Sequence, residues 1–364
     1  LLGWFVVGHA DPSYTAADFE QTPKFDAHVH ANKDDHEFLD IARKDGFGLL
    51  SINVDYPDFP SLSDQARIAH ALAKADPAHF HFATTFSMKG FGSAHWTQDT
   101  ERAIDAELAR GAVAVKIWKN IGMIEKDSHG NLIMIDDPKF NGLMAHLEAR
   151  HVPLIAHQAE PKNCWLPLDA MTTENDRSYF RDHPEYYMYL HPEQPSYERL
   201  MAARDHFVSL HPHLVFVGAH MASLEWSVDA LAAFLDAYPN ATVDLAARMS
   251  QVQYQSVRNL SQVRRFFIRY QDRLLYGTDL TASPVEPGDR AQNPPVASES
   301  FSKEADETWR SDWIYLATSA RQHIDAIASD VEGLALPSAV IDKIYYANAM
   351  RVYGLAKGGS PGGI

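Results

Sequence analysis

Cysteine is almost absent from this chain: Cys164 stands alone among 364 residues. A single thiol excludes an intrachain disulfide framework and any zinc site built from cysteine pairs. Long apolar runs are missing too, none approaching the roughly 18 residues that a membrane-spanning helix needs. Basic charge is scarce: 32 Lys and Arg stand against 48 Asp and Glu, the formal net charge is −16, and no block of Lys or Arg forms a stripe. Such a surface repels phosphate backbones and anionic lipid, so nucleic acid and membranes are poor partners and small molecules better ones. Signatures of other chemistries are lacking as well. No G-x-S-x-G elbow sits between a strand and a helix, no G-x-x-x-x-G-K-[ST] phosphate loop occurs, and no Gly-rich phosphate turn follows an early strand.

The remaining composition is that of a globular protein with a large core, 46% hydrophobic and 22% charged. Length alone does not choose between two ordinary domains and one α/β barrel. Short runs rich in Val, Ile, Leu and Phe recur, and eight predict strands: 24–30, 46–54, 79–88, 112–120, 152–160, 214–221, 241–248 and 273–280. Between them, helical periodicity marks 35–46, 62–77, 99–111, 140–151, 197–212 and 224–239. Near-continuous apolar strands alternating with helices predict a parallel sheet covered by helices. Eight such units predict an α/β protein closed as a (β/α)8 TIM barrel, a single domain over 24–356.

Two connections exceed plain turns and are expected to lie at the catalytic face. One, Pro161 to about Pro195 after strand 5, is rich in aromatics; the other, Thr281 to about Trp309 after strand 8, holds prolines and charges. Residues 1–23 read as an N-terminal extension, and 357–364 as a flexible tail behind an amphipathic helix pair. "LLGWFVVGHA" fits either the end of a signal peptide, with Gly8 and Ala10 as its small-x-small pair, or a short strand. The compartment, cytoplasmic or periplasmic, and a homo-oligomeric state both stay open.

Histidine is the compositional outlier, with 19 residues. In "FDAHVHAN" strand alternation sends His28 and His30 to one face, about 6 to 7 Å apart. Polar residues interrupt the other strands near their ends: Lys116, His157, His220 and Asp279. In a parallel barrel those ends converge on one face. Taken singly, each histidine reads as a satisfied core residue and "GTD" as a turn. Together, four imidazoles and a carboxylate suit a divalent ion such as zinc, manganese or iron.

These motifs resemble the amidohydrolase superfamily, in its amidohydrolase-related branch of metal-dependent hydrolases, lactonases and nonoxidative decarboxylases. The carriers are "DAHVH" at 26–30, "VKIW" at 115–118, "AHQAE" at 156–160, "GAH" at 218–220, "YGTD" at 276–279 and "NAMRVYGL" at 348–355. The resemblance implies that His28, His30, His157 and Asp279 hold one metal, zinc first among the choices. It implies that His220 either binds a second ion or polarises substrate or water, and that Asp279 orients and deprotonates the attacking water. Lys116 is open between three roles: a carboxylated ligand bridging two ions, as in binuclear members, a charged group binding a substrate carboxylate, or a bystander. Alternation puts Ala114, Lys116 and Trp118 on one face. Arg248, Trp118 and Glu160 are expected to line the substrate pocket, with Trp165 and Tyr254 as weaker candidates. A structural cap is the simpler account of Glu225 and Trp226. The expected function is hydrolysis of a lactone, amide or similar bond by metal-activated water. The alternative is decarboxylation of a small aromatic or unsaturated acid on the same scaffold.

Overall fold

All eight apolar runs become strands in the computed structural model, which describes residues 12–56, 59–284 and 300–355. They are β1 (Lys24–Ala31), β2 (Phe47–Ile52), β3 (Phe80–Thr85), β4 (Ala112–Ile117), β5 (Leu154–Ala156), β6 (Phe216–Gly218), β7 (Ala241–Asp244) and β8 (Leu274–Leu275), joined by a short β9 (Thr281–Ala282). The sheet runs β8-β7-β6-β5-β4-β3-β2-β1-β9, each neighbouring pair parallel. β8 and β9 belong to one stretch that closes the ring. Ala27 N donates to Tyr276 O, Asp279 N to His28 O, His30 N to Leu280 O and Asn32 N to Ala282 O, at 2.8–2.9 Å. The chain is therefore the α/β barrel that its strand periodicity predicts.

Two apolar layers follow from strand alternation. Inside the ring pack Phe25, Ala27, Leu50, Ile52, Ala83, Ala114, Ile155, Val217 and Leu275. Between strands and helices lies the larger cluster, which includes Val29, Leu49, Phe82, Val115 and Val243. The helix layer contains Glu37–Lys44, Leu62–Ala75, Trp96–Ala109, Asn141–Ala149, Tyr197–Leu210 and Val228–Ala237, matching the six periodic segments of the sequence.

Two expectations need correction, and two elements are additional. The helix Met249–Arg269 is absent from the sequence reading because its apolar positions are interrupted, and Asn259 breaks its helical geometry (φ −155°, ψ 78°). The connection after strand 8 is not a loop as far as Trp309: Phe301–Ala317 is helical, with Trp309 and Trp313 buried, while 285–299 lie outside the described residues. The C-terminal helix pair is one run, Ser338–Asp342 continuing through a π turn, Lys343–Ala347, into Asn348–Val352. It sends Ala349 and Tyr353 into the barrel interior. The hairpin of β10 (Arg321–Ile324) and β11 (Ser329–Glu332) is also new.

Of the N-terminal extension, residues from Pro12 onward pack on this frame: Phe19 is buried against Phe47 and Trp313, and Ser338 N donates to Pro12 O at 2.8 Å. "LLGWFVVGHA" and the 357–364 tail lie outside the described residues. Among the described residues no helix is long and apolar enough to cross a membrane.

Trp309 ties the second insertion to the barrel. It is fully buried, stacks on Phe47 with ring centroids 4.3 Å apart, and donates Nε1–H to Asp26 Oδ2 at 2.9 Å. Trp309→Ala opens a cavity and removes one of the two donors to Asp26 Oδ2, so urea denaturation should show a loss of about 3–5 kcal/mol.

Candidate metal centre

β1 carries the first two histidines inward by breaking its own alternation. Phe25 and Ala27 already face the interior, so an unbroken strand would turn His28 outward. The register with β2 shifts between Asp26 and Val29, and beyond the shift His28 and His30 face the pocket while Val29 joins the helix layer. Such irregularities re-aim side chains where a strand reaches a site. Gly277 makes room opposite: a Cβ there would stand 3.1 Å from His28 Cβ.

Three imidazoles are tethered through Nδ1. His28 Nδ1 meets Asp244 Oδ2 at 2.8 Å, His30 Nδ1 meets Ile52 O at 2.7 Å, and His220 Nδ1 meets Ala246 O at 2.9 Å. A carbonyl only accepts, so the proton of His30 and of His220 sits on Nδ1 and the lone pair on Nε2. Asp279 Oδ1 stands 3.1 Å from His30 Nε2 and 3.5 Å from His28 Nε2, and Lys116 Nζ lies 3.5 Å from His28 Nε2. His28, His30 and Asp279 thus bring three donor atoms within 4.8 Å of one another; His28, His220 and Asp244 do the same.

Asp244 is the site residue that sequence reasoning missed. It is fully buried at the end of β7, and its Oδ1 also accepts from His220 N at 2.7 Å and Ala246 N at 3.2 Å. The signal was available, an acid ending the apolar run "ATVD". A strand expected to run to 248 points to Arg248 instead. Arg248 lies past the strand, at the start of the helix Met249–Arg269.

His220 does not end a strand. β6 stops at Gly218, and His220, Met221, Ala222 and Ser223 follow with φ of 56°, 58°, 53° and 57°. Each non-glycine residue in this left-handed region costs about 1–2 kcal/mol. Gly218 lets the turn fold back, since a Cβ there would meet Ala222 Cβ at 2.5 Å. Asp279 and Ala247 are left-handed too, at 70° and 55°. Strain gathered at one barrel mouth is a hallmark of a functional site.

His157 stands at the same mouth, its ring centroid 4.2 Å from that of His220, but its Nε2 lies 3.1 Å from Ala159 O and it joins neither converging set. A pocket of about 460 Å³ opens above these groups. Lys116, Trp118, Glu160 and Arg248 line it as expected from the sequence, joined by Tyr56, Phe59, Lys119, Asp176, Tyr179 and Phe180. Glu160 is already ion-paired with Lys119, and Trp118 packs on Tyr56 at 4.8 Å. Arg248 is 8% exposed, and its Nε has no hydrogen-bond partner among the described residues. Trp165 and Tyr254 are not part of the lining; Trp165 donates to Pro195 O within the first insertion. Glu225 does not cap the helix that follows it, which Ser227 caps by accepting from Ala230 N; it accepts instead from Lys162 N at 2.8 Å.

Burial sets the protonation pattern. It holds His28 below its ordinary value, with the Lys116 charge adding, and pulls His157 and His220 well below theirs. It brings Lys116 down to about 8 against the opposing charges of Asp244 and Asp279. Burial alone would raise Asp279, but the surrounding imidazoles of His220, His30 and His28 together keep it well below the usual carboxylate range.

The donor set fits a divalent cation. His30 presents a lone pair to a carboxylate oxygen at 3.1 Å, two acceptors face to face, and a cation between them relieves the opposition. Nitrogen and oxygen donors without sulfur are those of zinc, manganese or iron sites, and the Asp244 contact behind His28 is the carboxylate–histidine support that metal-ligating imidazoles carry.

A barrel whose C-terminal mouth gathers such a His/Asp set defines a class of enzymes. The amidohydrolase family model matches residues 25–355, and the chain belongs to this family. No curated protein matches the chain in sequence. Among solved structures it is similar to an uncharacterized TIM-barrel protein of Bordetella bronchiseptica, at 14% identity and a TM-score of 0.53 over 92% of this chain and 99% of that one. An amidohydrolase II structure aligns at 14% identity and a TM-score of 0.51 over 91% and 99% of the two chains. A 2,6-dihydroxybenzoate decarboxylase from Rhizobium aligns at 16% and 0.48 over 92% and 99%. At identities this low the first two likenesses speak to the fold alone.

Two outcomes follow from the geometry. Asp244→Asn removes the charge behind His28 and should weaken divalent-metal affinity about 10- to 100-fold in a chelator competition. Because burial lowers the proton affinity of His28, His157 and His220, protons compete poorly with metal. The affinity should stay level as pH falls from 7.5 to about 6.5, the ordinary histidine value, and drop only below it.

Proposed function

We propose that this enzyme is a metal-dependent hydrolase that uses water to cleave a lactone, amide or related bond of a small molecule. The observation that carries the reading is Asp279, whose carboxylate touches the Nε2 atoms of His30 and His28 while its side chain is 31% exposed to the pocket. His28, His30 and Asp279 would hold one ion, zinc in this proposal, with His157 as fourth donor once its ring gives up the Ala159 carbonyl. A divalent ion supplies Lewis-acid charge and brings the pKa of water from 15.7 to about 7.

The residues divide the remaining work. Asp279, ionised across the working pH range, accepts the proton of the attacking water and returns it to the leaving group. His220 offers a lone pair at Nε2 rather than a proton, which suits it to orient that water rather than to donate to a carbonyl. Trp118, Tyr56 and Phe59 give flat walls, and Tyr179 and Phe180, from the helix Glu174–Asp182, cover the substrate from water. In this single-ion reading Lys116 stays an amine; two ions per chain on elemental analysis would replace it with the carboxylated, bridging form.

Arg248 favours a second reading. A buried guanidinium with an unpartnered Nε suits a substrate carboxylate, and an aromatic or unsaturated acid between these walls would be a substrate for nonoxidative decarboxylation. Turnover of panels of lactones, amides and aromatic acids in H2(18)O separates the two. Label in the product supports the hydrolase; carbon dioxide release with no label in the product overturns it. Asp279→Asn should lower kcat by about 10²–10⁴-fold while the folded protein still binds substrate.

A further inference from the structure

The left-handed turn at residues 220–223 contains no glycine, although glycine is the residue that takes this conformation readily. Something outside the turn must hold it. On the inner side, Asp244 Oδ1 and Ala159 O take the donors His220 N and Ser223 Oγ, at 2.7 and 3.1 Å. On the outer side the turn presents the carbonyls of Ala222 and Ser223. Arg204 Nη1 donates to Ala222 O and the Tyr197 hydroxyl to Ser223 O.

Both donors come from the helix Tyr197–Leu210, seven residues apart and so on one face, and both are buried, at 2% and 4% exposure. The Tyr197 hydroxyl accepts from Trp226 Nε1 at 2.8 Å, which leaves its own proton for Ser223 O. Arg204 is neutralised by Asp205, Nη2 to Oδ1 at 2.6 Å, and packs over Phe234. Its Nη1 reaches the turn and the sulfur of Met201. Neither residue reaches the pocket.

We propose that Tyr197 and Arg204, in the helix layer, are positioning residues for His220: by holding the Ala222 and Ser223 carbonyls they maintain the left-handed turn that aims its imidazole into the pocket. The inference rests on His220 serving the reaction proposed above, but its placement can be read without any turnover.

The test compares wild type, Tyr197→Phe and the double variant Tyr197→Phe/Ala222→Gly in (15)N-histidine-labelled protein. Tyr197→Phe keeps the ring and removes the donor. The His220 ring signals should shift and broaden while those of His30, anchored on β2, stay in place. On a substrate that turns over, kcat should fall roughly 10- to 100-fold with KM within about twofold, the pattern of a displaced group rather than a lost pocket. Glycine at 222 takes the left-handed region unaided, so the double variant should restore both the signals and kcat. Unmoved His220 signals in Tyr197→Phe, or no recovery in the double variant, overturn the proposal. Should Tyr197→Phe not fold, Arg204→Lys alone and with Ala222→Gly carries the same comparison. If the wild type turns over no substrate, the proposed reaction fails while the (15)N spectra still decide the role of Tyr197 and Arg204.

Discussion

The buried carboxylate of Asp26 is where the ring of strands is fastened. It accepts four donors: His28 N and Thr278 N on Oδ1, Thr278 Oγ1 and Trp309 Nε1 on Oδ2, at 2.6–3.2 Å. Those donors belong to the first strand, to the closing stretch and to the helix of the second insertion. Closing an eight-unit ring requires its first and last strands to meet in register, and here they meet two residues before His28 and one before Asp279. Burial raises Asp26 to about 7 against its own hydrogen bonds, so the fastening is held under electrostatic load. An unpaired acid at that depth would be costly; one with four donors pins two prospective ligands at once.

From that seam the mouth of the barrel departs from regular structure at three of the chemically useful positions, while Lys116 stays on a regular strand. β1 shifts register before His28, β6 hands over to a left-handed turn at His220, and the closing stretch turns left-handed at Asp279. The body below is more regular, with a register shift between β3 and β4 at Phe82–Ala83 and a left-handed His151 before β5. Its interior is a packed set of small and branched residues, and its outer layer is a continuous aromatic and aliphatic core. Regular packing underneath supplies the rigidity against which strained backbone can be held.

Much of this was legible in the sequence because burial writes itself as apolar runs. Eight strands, six helices and the convergence of His28, His30, Lys116, His157, His220 and Asp279 on one pocket follow from periodicity and from polar residues placed late in those runs. What stayed hidden is of another kind. Periodicity gives a strand its face but not its last hydrogen-bonded residue, so the run 241–248 points to Arg248 at its end rather than to Asp244, where β7 stops. The helix Met249–Arg269 was lost because Asn259 interrupts it and its polar residues outnumber the buried ones. The direction of a ring nitrogen, as in His157 toward Ala159 O, depends on a local carbonyl that no residue pattern specifies.

The first insertion has a core of its own, Cys164 with Met171, Phe180 and Tyr187, and its helix Glu174–Asp182 is tied within the insertion by Asn163 and moored to the helix Met249–Arg269 where Asp176 accepts from Gln251 at 2.6 Å. Its residues meet the pocket from above, whereas every prospective ligand comes from the strand ends below. The two halves of the site are thus folded by separate sets of contacts. Exchanging residues on the underside of the insertion would redraw which molecules fit without disturbing how bonds are broken, so one chemical apparatus could be refitted for successive substrates.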